Sequence, residues 1–210
     1  MRHNTVDTFN GNKIERRVFT SFFQDGSIEA FTGIFLLQLG LPALFSRSGF
    51  GDLESALITL PIALILLLLV YVVRRFVVTP RLGRVKFLPE RRRKLSKLVI
   101  VPVLTLIASA IVGFIFAENA SLRNIFIGQI PFSLSPIIVF GAAAYFLDMK
   151  RLYVYGVTVG LVFPLGKYLE TIFVSRNTLP TAILFTAFVF LIIAVVLFVA
   201  FLKKYRETRV

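Results

Sequence analysis

The chain has 210 residues, 57% of them hydrophobic, a mean hydropathy of +0.83 and a formal net charge of +13. So large an apolar excess, gathered in long runs, exceeds what a soluble domain of this size buries and requires lipid as the solvent. Cysteine is absent and the one histidine is His3, which excludes disulfides, thiolate metal sites, cysteine nucleophiles and multi-histidine metal centres.

Residues 1–26 are polar and of mixed charge. Ile14, Val18, Phe19, Phe22 and Phe23 fall on one half of a helical wheel, and Lys13, Arg16, Arg17, Thr20 and Gln24 on the other. This pattern predicts a short amphipathic helix on the cytoplasmic side, lying on the membrane surface or packed on the protein's own loops. The apolar run that follows lacks a small-residue cleavage site, so it reads as an uncleaved first span.

Six apolar stretches follow, at residues 28–45, 56–73, 98–116, 130–147, 154–169 and 181–202. Most approach the ~20 residues that cross ~30 Å of hydrocarbon at 1.5 Å per residue. The fifth is short and carries Lys167. Residues 27–202 therefore read as one all-α transmembrane domain of about six helices, followed by a basic cytoplasmic tail at 203–210.

Charge between the stretches sets the orientation. Residues 74–97 hold ten Lys or Arg against the single acid Glu90, which places them in the cytoplasm. With six spans, both termini join them: twenty basic residues fall on the inner side and three, Arg47, Arg123 and Arg176, on the outer. Within the basic loop, Thr79-Pro80 reads as the stop of the second helix, and Pro89-Glu90 as the first turn of a helix entering the third span. The sequence Thr79-Pro80-Arg81-Leu82-Gly83-Arg84-Val85-Lys86-Phe87, with Asp25-Gly26 ahead of Glu29 and Gly33, resembles a P-R-x-G-x-V-K-F inner-loop pattern of small prokaryotic polytopic membrane proteins of unassigned function. The resemblance implies no activity.

Candidate site residues are few. The only ionisable side chains within the spans are Glu29, near the inner end of the first, and Lys167, near the outer end of the fifth. An intramembrane carboxylate needs a counter-charge. Topology offers Arg75, Arg81 or Arg84 to Glu29 as an ion pair that anchors the loop. Gly33 and Gly40 share the Glu29 face of the first span, and Gly156 and Gly160 form a small-xxx-small pair in the fifth; both are helix-packing faces, within one chain or across a homo-oligomer. Arg91, Arg92, Arg93 and Lys94 are placed to contact anionic lipid headgroups. Nucleic acid is disfavoured, because aromatic interleaving near the basic loop is limited to Phe76 and Phe87. No P-loop, H-E-x-x-H or G-x-S-x-G motif is present, so the residues point to no catalytic, cofactor or metal site. The first functional reading is a non-enzymatic scaffold acting by helix packing and by contact with lipid or a membrane-protein partner. A transporter or channel for a small, lipophilic solute is the second, and a membrane enzyme a distant third.

Overall fold

The computed structural model describes residues 24–82, 100–105, 107, 108, 111, 112, 130–173, 175 and 177–205. Its principal helices are α1 (Ser27–Arg47), α2 (Asp52–Val73), α3 (Ile130–Leu147), α4 (Arg151–Phe173) and α5 (Thr178–Lys204), with helical residues also between 100 and 112. Four of these, α1, α2 with its extension, α4 and α5, are long and apolar enough to cross a membrane; α3 adds the shorter apolar helix Ser133–Leu147. The expected third span lies only partly within the described residues. Most of the N-terminal segment, Arg84, and Arg91, Arg92, Arg93 and Lys94 lie outside them.

Local chemistry explains the helix ends. At the start of α1, Gly26 takes the left-handed conformation (φ 81°), and Asp25 Oδ1 accepts both the backbone N–H and the hydroxyl of Ser27, at 3.1 and 2.7 Å. This satisfies one of the unpaired donors that every helix start exposes. At the start of α2 the Gly51 N–H donates to Glu54 Oε2 at 3.1 Å, and the Ser46 hydroxyl donates to Asp52. Asp148, with φ 57°, makes the tight turn between α3 and α4.

The second helix does not stop at Thr79-Pro80. It continues from Val73 through a π-helical segment, Arg74–Val78, into a last turn at Thr79–Leu82. The Thr79 backbone N–H and hydroxyl both donate to the Arg74 carbonyl, the latter at 2.9 Å. A widened turn ahead of Pro80 gives the proline ring the room that a regular turn denies it, so the helix survives a residue that ordinarily breaks it. The fifth stretch is also longer than its apolar core, running over Arg151–Phe173 and not only 154–169. Charges at its two ends do not terminate it because each meets an opposite charge.

Glycine and alanine set the packing. Helix α1 runs antiparallel to α5: a Cβ at Gly26 would collide with the Ala194 carbonyl, one at Gly33 would lie 2.8 Å from Leu191, and one at Gly40 would lie 2.8 Å from Leu184. Spaced seven apart, these glycines keep one face of α1 flat over its whole length, so the two backbones approach closely. Gly156 and Gly160 do the same for α4 against α3, where a Cβ at Gly160 would stand 2.6 Å from the Ser133 carbonyl. All four packing glycines thus meet helices of their own chain. Leu36 of α1, Val159 and Phe163 of α4, and Ile183, Ala187 and Phe190 of α5 fill the centre where these three helices meet. Helix α2 lies outside that core; between Asp52 and Val73 only Ser55 and Thr59 are buried.

Candidate functional site

Two carboxylates, four residues apart at the N-terminal end of α1, face different helices. Glu29 is fully buried. Its Oε1 accepts the Tyr155 hydroxyl at 2.9 Å and lies 3.2 Å from Arg151 Nη1, both on α4. The Tyr155 ring is held edge-on against Phe190 of α5, with centroids 5.1 Å apart, which fixes the direction of its hydroxyl. Asp25, also buried, lies 3.8 Å from Arg74 Nε at the start of the π segment. Removing either acid from water is costly, and the facing arginine is what makes an ionised group tolerable there.

Among the described residues the partner of Glu29 is therefore Arg151, and not the expected Arg75 or Arg81. Arg75 points along its own helix and donates to the Tyr71 hydroxyl at 3.0 Å. Arg81 sits in the turn beyond the π segment, and Arg84 lies outside the described residues. The ten charges of one loop outnumber the two at Lys150 and Arg151, yet it is Arg151 that meets the carboxylate. The signal that identifies the pair is spacing: Arg151 and Tyr155 are one helical turn apart, on the strip that continues to Val159 and Phe163 of the core.

A second charged cluster lies at the C-terminal end of α1. Arg47 Nη1 lies 2.6 Å from Glu170 Oε1, Lys167 Nζ lies 2.7 Å from Glu170 Oε2, and the Leu179 N–H donates to Glu170 Oε1 at 3.3 Å. Lys167 is thus neutralised by a neighbour on its own helix. Glu29–Arg151 and Arg47–Glu170 join α1 and α4 in parallel at both ends, with the signs exchanged. The stretch of α1 between them is ~27 Å long at 1.5 Å per residue, close to the hydrocarbon thickness of ~30 Å.

Beside Asp25 and Arg74 is a cavity of about 250 Å³. Its floor is Gly26, Ala30 and Ile34 of α1, and its walls are Leu66, Leu69 and Val70 of α2 and Leu191, Val195 and Phe198 of α5. Leu69 and Val195, both mostly exposed, mark where it opens between α2 and α5. The walls are apolar and one end is charged. Asp25 Oδ2 is buried there without a hydrogen bond. Among the described residues no three His, Cys, Asp or Glu side chains converge as a metal site would require. Comparison of the chain with protein-family models, with curated proteins and with solved structures finds no match.

Proposed function

We propose that this chain is a six-span inner-membrane protein with both termini in the cytoplasm, working without catalysis through contacts with lipid and with membrane-protein partners or further copies of itself. The observation that carries the reading is the packed junction of α1, α4 and α5, filled by Leu36, Val159, Phe163, Ile183, Ala187 and Phe190 and clamped by ion pairs at both ends. A filled centre favours contact over passage. Two of the hydroxyls available to a solute pathway are turned to their own helices: Thr158 donates to the Val154 carbonyl and Thr105 to the Val101 carbonyl. The antiparallel α1 and α5 support an even number of crossings, since the start of one lies beside the end of the other. The helical residues between 100 and 112 support a further span beside the five labelled helices.

Orientation is tested by single cysteines, for which a chain without native cysteine is a clean background. A cysteine at Ser48, in the α1–α2 turn, is expected to react with an impermeant maleimide in intact cells. One at Lys150, in the α3–α4 turn, is expected to react only after permeabilisation. The reverse pattern overturns the orientation. Lipid contact is tested on the basic loop: neutralising Arg91, Arg92, Arg93 and Lys94 together is expected to weaken retention of anionic lipid by purified protein, each charge near such a surface contributing about 1 kcal/mol. Unchanged retention would leave those residues a role in orientation alone.

A further inference from the structure

The cavity beside Asp25 and Arg74 has the form of a phospholipid site. Apolar walls on α2 and α5 accept an acyl chain entering sideways from the bilayer past Leu69 and Val195. Its charged end lies where α1 begins and α2 turns π-helical, the level at which a lipid head meets the hydrocarbon. Turns of this kind are frequent at functional sites, because a widened turn re-aims side chains that a regular helix would direct elsewhere. Here the π segment begins at Arg74, which faces Asp25.

The two charges also select the head. Asp25 and Arg74 together are neutral, so the site does not favour anionic lipid as the basic loop does. The carboxylate oxygen Asp25 Oδ2 has no hydrogen bond, and an acceptor buried in this way is costly until a donor reaches it. A primary ammonium supplies that donor and a trimethylammonium has no N–H. The neighbouring guanidinium is shaped to bind a phosphate.

We propose that the crevice between α1, α2 and α5 binds one inner-leaflet phospholipid with a primary ammonium head, its ammonium on Asp25 Oδ2, its phosphate beside Arg74 and one acyl chain between Leu66–Val70 and Leu191–Phe198. This rests on the lipid-contact reading above and names the lipid class. Arg74 keeps its contact with Asp25 Oδ2 in this arrangement, and the phosphate lies beside the guanidinium.

The test is native mass spectrometry of the full-length protein, released from detergent holding equal amounts of dioleoyl phosphatidylethanolamine, phosphatidylcholine and phosphatidylglycerol. One ethanolamine lipid per chain is expected, bound roughly tenfold more tightly than the choline lipid, the size of one charge-assisted hydrogen bond. Asp25→Asn keeps an oxygen to accept from Ser27, so the start of α1 is retained, yet the ammonium loses its counter-charge; it is expected to abolish the preference. Ala30→Phe fills the crevice floor without touching either charge, and is expected to reduce retention of the ethanolamine lipid about tenfold. Equal binding of ethanolamine and choline lipids by the wild type, or full retention in both variants, overturns the assignment. These results are distinguishable from failure of the broader reading, which would appear as loss of all lipid with no change in thermal stability.

Discussion

Glu29→Gln is expected to lower the unfolding free energy in detergent by about 3 kcal/mol, the lower end of what breaking a buried ion pair costs. The lower end applies because Arg151 keeps 25% of its side chain exposed, whereas Glu29 is at 0%. Glutamine preserves shape and an oxygen for the Tyr155 hydroxyl, so the loss reports charge and not packing. If the carboxylate and the guanidinium act as a unit, Glu29→Gln with Arg151→Gln is expected to cost little more than Glu29→Gln alone. Thermal melts of the two single variants and the double variant check this, and fully additive losses would refute the pairing. Arg47→Gln at the other end of α1 is a built-in contrast. Arg47 is 31% exposed and its partner Glu170 retains Lys167, so its loss is expected to cost no more than about 1 kcal/mol.

The second large effect is expected at Gly26. Alanine there meets two separate penalties: the left-handed backbone costs a residue with a Cβ ~1–2 kcal/mol, and collision with the Ala194 carbonyl adds ~1–3 kcal/mol of overpacking. Neither obstacle is a flexible side chain that can swing away. Gly26→Ala is expected to unfold early or to elute as aggregate by size exclusion. Gly141→Ala on α3 is the control, because a Cβ there meets nothing within 4 Å and helix preference favours alanine over glycine by ~0.5–1 kcal/mol. Equal melting temperatures for the two variants would remove the close α1–α5 contact from the account.

Residues whose environment is set by one helix and the bilayer were legible in the sequence. The helical class, the run at Ile130–Leu147 and the need of Glu29 for a counter-charge follow from hydropathy and the cost of a charge in lipid. Residues whose environment is set by three helices were not. Which arginine meets Glu29 depends on α1 and α4 lying parallel across the core, and nothing in the spacing of the spans specifies that neighbour relation. Helix α4 extends beyond its apolar stretch because Arg151 and Glu170, which look like boundaries when each is counted alone, belong inside the helix as members of two interhelical pairs. The π turn left only Thr79-Pro80 as a trace, and that dipeptide ordinarily signals an end. The crevice has no sequence signature, since its lining comes from Asp25 to Ile34, Leu66 to Val78 and Leu191 to Phe198.

The contact between α1 and α5 joins two helices that are synthesised far apart in time. When Arg47 leaves the ribosome, Arg151 does not exist, and Ala187, Leu191 and Ala194, which cover the glycine face, follow later still. At synthesis rates of about 5–20 residues per second α1 waits roughly seven to thirty seconds for α5. Until Arg151 is made it holds an uncompensated carboxylate, and until α5 is made a groove of glycines, against lipid or against whatever receives nascent helices. The junction of α1 with α5 therefore closes late, and a ribosome that stalls before α5 leaves α1 without the surface that covers its glycines.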